Sequence, residues 1–122
     1  MNAPILTSGA WTIRALDNGT HCFAREYIDS LQKAEQQKAT ALLQRASQEG
    51  PPKNTQKFVK VEGDIYEFKP SKQDRLLCFF EGEKTIIITH GFTKKSRRIP
   101  RNEIDRANSL IARFREDAGV SL

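Results

Sequence analysis

The chain has 122 residues, of which 38% are hydrophobic and 29% are charged, and its formal net charge is +5. These values are typical of one soluble globular domain, and they exclude collagen-like and low-complexity proteins. The longest uninterrupted apolar run, residues 76–80, is far shorter than the roughly 20 residues of a membrane-spanning helix. Because the N-terminus also lacks the basic start and apolar stretch of a secretory signal, we expect a cytoplasmic protein with reduced cysteines and no membrane partner.

The first half of the chain predicts one strand and two helices. Residues 11–16 alternate between apolar and polar side chains, which is typical of a strand. An apolar stripe within residues 23–31 predicts a first helix, and a second helix runs over about residues 33–48. The second helix should stop at the Gly-Pro-Pro of residues 50–52, because glycine and then proline commonly follow a helix end. We expect the two helices to form a hairpin that packs on a sheet.

The second half of the chain predicts three strands and a closing helix. The predicted strands are residues 65–69, 74–81 and 85–90. Three consecutive isoleucines at residues 86–88 leave no polar face, so we expect the last strand to be central and covered on both sides. Pro100 is suited to the first turn of a helix that continues to about residue 117.

The predicted fold is therefore α+β. An antiparallel sheet packs against an N-terminal helical hairpin and a C-terminal helix, in the chain order β-α-α-β-β-β-α. We expect residues 11–117 to form this single domain, and residues 1–10 and 118–122 to be loose ends.

One candidate phosphate site lies on two neighbouring predicted strands. Glu67 and Lys69 project from the same face because they are two residues apart in a strand. Arg75 lies near the start of the next strand, so antiparallel pairing would bring it to the same patch. Glu67 would then orient the guanidinium of Arg75, which can bind a phosphate through two hydrogen bonds. A simple cross-strand ion pair is the alternative, and the spacing alone favours it.

A second group of cations follows the last predicted strand. Residues 53–101 contain 12 basic and 6 acidic side chains, whereas residues 1–52 contain 5 of each. The densest cations are Lys94, Lys95, Arg97, Arg98 and Arg101. Such a cluster indicates a phosphate ligand, with a solvated surface or a docking patch for an acidic protein as alternatives. His90 precedes this cluster, either as a buried, hydrogen-bonded side chain or as a catalytic one.

Several strings support a family resemblance when their order is considered together. They are FAREYIDSL at residues 23–31, GPP at 50–52, IYEFK at 65–69, Arg75, and HGFTKKSRRIP at 90–100. In this order they resemble the RelE/ParE superfamily of bacterial toxins, and most closely its phage-derived HigB-like branch. The similarity covers about residues 12–115, which is nearly the whole chain.

This resemblance implies a RelE-like fold and the toxin of a type II toxin–antitoxin pair. RelE and HigB toxins cleave mRNA in the decoding site of the ribosome, so this chain would be a ribosome-dependent endoribonuclease that inhibits translation. Its partner would be a small helix-turn-helix antitoxin, through which the complex would bind its own operator. ParE toxins instead act on DNA gyrase. A gyrase inhibitor and a binding module without nuclease activity are therefore the alternatives.

Two departures from the branch bear on the expected chemistry. Lys69 stands where the branch usually has an arginine, and the chain lacks the tyrosine that RelE-like enzymes often carry near the C-terminus. We expect a reaction without metal or cofactor in which Lys69 or His90 removes the proton of the 2′-hydroxyl. Arg75 would stabilise the charge on the phosphate, and Lys94 would protonate the leaving oxygen or hold the backbone. The residues expected to bind RNA around them are Lys72, Lys95, Arg97, Arg98 and Arg101.

Overall fold

The computed structural model describes residues 1–118, which form six strands and three helices. In chain order they are β1 (Ile5–Ser8), β2 (Thr12–Ala15), α1 (Phe23–Ser30), α2 (Lys33–Glu49), β3 (Phe58–Glu62), β4 (Ile65–Phe68), β5 (Asp74–Phe80), β6 (Thr85–Thr93) and α3 (Arg101–Asp117). None of the helices in this part of the chain is long and apolar enough to cross a membrane. Of the expected loose C-terminus, residues 119–122 lie outside the described residues.

The six strands form one mixed sheet in the order β1-β2-β6-β5-β4-β3. Strands β2 and β6 run parallel, and the other neighbours run antiparallel. The prediction of an antiparallel sheet is therefore wrong for the pair of β2 and β6. A parallel pair needs a long crossover, and here most of the chain lies between the two strands. The direction of β6 relative to β2 is thus set by this connection, which local sequence patterns do not reveal.

Two edge strands were missing from the predicted order. Strand β1 pairs with β2, and Asn2 forms a further bridge with Asp17, so the expectation of a loose segment at residues 1–10 is wrong. Strand β3 pairs with β4 on the opposite edge. Both strands are half-exposed along most of their length. Each of these strands is short, with four or five residues, and lies at an edge of the sheet.

The helices cover both faces of the sheet. Helices α1 and α2 pack over one face, where Leu76, Ile86 and Ile88 are buried. Helix α3 packs over the other face, where Leu77 and Ile87 are buried. The predicted central strand with its three isoleucines is confirmed, because each is at most 1% exposed.

Strand β6 contains a bulge that decides which side chains reach the α3 face. Leu77 pairs with His90 and Cys78 pairs with Ile88, so Thr89 has no partner on β5. A bulge of one residue reverses the alternation of faces beyond it. Ile88 accordingly packs with the α1–α2 core, whereas Phe92 packs with the α3 core. The strand also continues to Thr93, three residues past its predicted end.

Candidate phosphate-binding site

The structure brings Glu67, Lys69 and Arg75 together at the turn between β4 and β5. The Nε atom of Arg75 lies 3.4 Å from Glu67 Oε2, and the Nζ atom of Lys69 lies 3.8 Å from Glu67 Oε1. This convergence follows from the register of the two strands, in which Glu67 faces Leu77 and Phe68 faces Leu76. Two cations therefore share one carboxylate at the end of the sheet.

Arg75 is buried at the start of β5. Its side chain is 9% exposed, and Nη1 donates to the carbonyl oxygens of Ser71 (2.8 Å) and Asp74 (2.9 Å). Neither Arg75 Nε nor Glu67 Oε2 forms a hydrogen bond with any of residues 1–118, although their charges are adjacent. The guanidinium is thus held by the hydrogen bonds of Nη1 to the backbone, while Nε lies beside the carboxylate of Glu67.

A hydrogen-bond network holds the turn that anchors Arg75. The Asp74 carboxylate accepts from the Tyr27 hydroxyl (3.1 Å) and from Ser71 Oγ (2.9 Å). Ser71 Oγ also accepts from the Asp74 amide (3.1 Å). Burial, above all, raises the pKa of Tyr27 to about 12, so its hydroxyl keeps its proton. Sequence reasoning assigned Tyr27 to packing alone; only the Ser-x-x-Asp spacing of the turn hinted at this network.

The surroundings of Glu67 raise the pKa of its carboxyl. Burial raises the pKa of its carboxyl, and the charges of Arg75, Lys69 and Lys94 partly oppose this shift. Lys94 directly follows β6, and its amide donates to the carbonyl of Gln73 (2.7 Å). Three of the cations considered for this site therefore act on one buried carboxyl.

His90 is 1% exposed and packs beneath α3. Its Nε2 donates to Glu103 Oε1 (3.0 Å), and its Nδ1 lies 3.1 Å from Thr89 Oγ1. Burial and the nearby Arg106 lower the pKa of His90, and Glu103 acts in the opposite direction. The geometry favours the buried, hydrogen-bonded alternative over a catalytic histidine.

The remaining cations of the 90–101 segment have different surroundings. Lys95, Arg97 and Arg98 are exposed in the loop between β6 and α3. Arg101 instead donates two hydrogen bonds of 2.8 Å to Glu62 and one of 3.1 Å to Asp105, and these contacts raise its pKa. Arg101 is thus paired with two carboxylates, although its side chain is 60% exposed. Glu62 lies on β3, a strand that the sequence did not predict.

An open groove of about 720 Å³ lies beside Arg75, between α2 and the β4–β5 turn. Six cations and no carboxylate line it among the described residues: Lys38, Arg45, Lys57, Lys69, Lys72 and Arg75. Three of these, Lys38, Arg45 and Lys57, were not among the candidates because they are distant from the others along the chain. The groove makes the site a cationic cleft with a buried guanidinium at its side, which suits a phosphate ligand.

The family model described as "Phage derived protein Gp49-like (DUF891)" matches residues 26–112 of the chain. No curated protein matches the chain. The matched residues include all of α2, the strands β3 to β6 and the cluster of Glu67, Lys69 and Arg75. Because the match covers most of the sequence, the chain belongs to the family of phage-derived, Gp49-like proteins.

Proposed function

We propose that this protein is the toxin of a type II toxin–antitoxin pair and that it cleaves mRNA on the ribosome. The observation that carries the proposal is the buried Arg75, held against Glu67 beside a groove lined by six cations. Such an arrangement can bind a phosphodiester and stabilise the charge that develops on it during cleavage. Membership of a phage-derived family and the similarity to HigB-like toxins support the same conclusion.

The proposed reaction is attack of a ribose 2′-oxygen on the adjacent phosphorus. Glu67 accepts the proton of the 2′-hydroxyl at Oε1, the oxygen beside the groove residue Lys69, while Oε2 faces Arg75; burial raises the pKa of this carboxyl in the direction that a general base needs. Arg75 stays protonated and stabilises the phosphate charge. Lys94 donates a proton to the 5′-oxygen as the phosphorus–oxygen bond breaks. The products are a 2′,3′-cyclic phosphate and a 5′-hydroxyl.

This assignment changes three of the roles expected from the sequence, and the first is that of Glu67, which becomes the base in addition to orienting Arg75. His90 is left out because it is buried under α3 and hydrogen-bonded to Glu103. Lys69 forms an ion pair with Glu67 and is better suited to holding the phosphate than to removing a proton. A small basic protein of this kind relies on the ribosome to align its substrate, since positioning supplies much of the rate in such reactions.

The proposed partner is a small helix-turn-helix antitoxin in the same cytoplasm, which would also carry the complex to its operator. The 6 surplus positive charges of residues 53–101 give an acidic antitoxin segment a surface to cover. Hydrogen exchange on the complex would test this, with protection expected over residues 69–101. Protection confined to α1 and α2 would show that inhibition occurs elsewhere.

The decisive experiment is expression without the antitoxin, followed by primer extension on a translated reporter. We expect growth arrest and new 5′ ends inside codons for the wild type, and uncut transcripts for Glu67→Gln. Uncut transcripts together with inhibited supercoiling would favour a gyrase inhibitor. Growth without arrest would favour a binding module without nuclease activity.

A further inference from the structure

We infer that the groove along α2 binds the phosphodiester backbone of single-stranded RNA next to the bond that is cut. The inference rests on the proposed function, since it extends the same site. It adds Lys38, Arg45 and Lys57, which take no part in the proposed chemistry. These residues would hold the flanking nucleotides and thereby place the reactive phosphate at Arg75.

One wall of the groove is a single face of α2. Lys38, Ala41, Leu42 and Arg45 line it, at the spacing that brings helical residues onto one side. Seven residues separate the two cations, so they lie about 10 Å apart along the helix. That distance corresponds to about two or three nucleotides of a stacked strand. Arg45 contacts Glu49 at 3.2 Å, but its side chain is 74% exposed, and such surface pairs exchange readily for a phosphate partner.

The opposite wall is joined directly to the proposed catalytic residues. Lys57 precedes β3, and its carbonyl accepts a hydrogen bond from the Lys69 amide (2.8 Å). Lys69 and Lys72 continue this wall into the turn that anchors Arg75. The backbone contact fixes the position of Lys57 relative to the site, so the groove and the site form one continuous surface.

The depressions at the two ends of the groove differ in charge. A depression of about 450 Å³ shares Leu42, Arg45 and Lys57 with the groove and extends it to Lys53, with Glu49 as the one carboxylate among the described residues of its lining. On the opposite side, the lining of a depression of about 410 Å³ has two lysines and two carboxylates, those of Glu35 and Asp74. The first depression therefore attracts a polyanion more strongly than the second.

The lining also indicates how RNA would be recognised. No aromatic side chain lines the groove among the described residues, and its apolar floor consists of Ala41, Leu42 and Pro70. Without a stacking platform, binding depends on phosphates and is insensitive to base sequence. The competing ligand is an acidic segment of a protein. A helical segment would need a broader apolar floor than these three residues provide, so the groove favours RNA.

The test is fluorescence anisotropy with the full chain and a labelled, 2′-O-methylated oligoribonucleotide of mixed sequence, which cannot be cleaved. The variants are Lys38→Ala and Lys57→Ala. Their matched controls are Lys33→Ala on the same helix and Lys60→Ala on β3, both exposed and outside the lining of the groove. Because all four lysines are exposed, thermal melts should show that each variant folds.

We expect each groove variant to weaken binding about fivefold at low salt. Each should also reduce the slope of log affinity against log salt by about 0.7, the value for one phosphate contact on a single strand. The two control variants should bind like the wild type, and a second oligonucleotide of different sequence should give the same affinities. This pattern would support the inference.

Three results would overturn the inference: equal binding by groove and control variants, no measurable binding by the wild type, or binding of a polyglutamate peptide in place of the oligonucleotide. The readout does not depend on cleavage. If Lys38→Ala and Lys57→Ala bind the oligonucleotide as tightly as the controls while the wild type cuts mRNA, the groove is rejected and the proposed cleavage stands. Groove-dependent binding by a protein that never cuts mRNA would reject the proposed cleavage alone.

Discussion

The ring of Tyr27 lies directly against the backbone of Gly91, so that a β-carbon at position 91 would overlap the ring. This contact joins α1 to β6 near the proposed site. The Tyr27 hydroxyl also forms hydrogen bonds with Asp74 (3.1 Å) and Thr93 (3.0 Å). Gly91 lies within strand β6, and a glycine is needed there because the ring of Tyr27 approaches the backbone so closely.

The first prediction is that Gly91→Ala destabilises the fold. The added methyl group would overlap Tyr27 and come within 2.9 Å of Leu76 Cδ2, and overpacking of this kind costs about 1–3 kcal/mol. Urea denaturation would measure the loss. In a Tyr27→Ala background the same substitution should cost much less, because the ring is gone. Strictly additive effects of the two changes would contradict this explanation.

Tyr27→Phe should keep the ring contact and remove a hydrogen bond to the buried Asp74. We expect a loss of about 1–3 kcal/mol in the free energy of unfolding. Cleavage should fall as well, because the turn of Ser71 and Asp74 anchors Arg75. Tyr66→Phe is the control, since the Tyr66 ring mainly packs against Phe58 and Phe80. Equal effects of the two substitutions would show that the Tyr27 hydroxyl has no special role.

Substitutions of Arg75 should separate its structural and chemical roles. Arg75→Ala should abolish cleavage, but among residues 1–118 it also leaves the buried Glu67 with Lys69 as its one remaining ion-pair partner, which costs at most about 3–5 kcal/mol. Arg75→Lys keeps the charge and should melt close to the wild type, while cleavage falls about 10²–10³-fold. Cleavage in a translation reaction, beside thermal melts, would measure both. Full activity of Arg75→Lys would remove the guanidinium from the proposed mechanism.

His90 should make stability depend on pH. Because its pKa is lowered in the fold from an ordinary value of 6.5, the unfolded chain binds a proton that the folded chain does not. The free energy of unfolding should therefore decrease as pH falls below about 6.5, by at most about 1.4 kcal/mol per pH unit, down to the lowered pKa.

Urea titrations of the wild type and of His90→Gln at several pH values would measure how much of the pH dependence of stability comes from His90. The two proteins have to be compared because Glu67 also titrates. Its raised pKa changes the free energy of unfolding with pH in the direction opposite to that of His90. His21→Gln, on the exposed His21, serves as the control. Identical pH profiles for wild type and His90→Gln would show that the interaction of His90 with Glu103 offsets both its burial and the nearby charge of Arg106.

Much of the secondary structure and one part of the site were predictable from local patterns. Amphipathic repeats gave the three helices, and the isoleucines of residues 86–88 marked the doubly covered strand. The approach of Glu67, Lys69 and Arg75 was also predictable, because a short turn joins their strands and pairing then follows from neighbouring positions. The edge strands β1 and β3 were not predicted: β1 has only four residues, whereas the alternation of Val59 and Val61 with Lys60 and Glu62 in β3 is a strand pattern that was overlooked.

The sequence by itself determined the α+β class, the helices and the register across one tight turn, because all of these depend on residues close together in the chain. Only the tertiary structure decided the parallel pairing of β2 with β6, the pairing of Arg101 with Glu62, and the groove between α2 and the β4–β5 turn. These features join segments separated by tens of residues. The bulge at Thr89 adds a further reason: a single unpaired residue reverses the faces of a strand, and burial rather than local pattern selects that register.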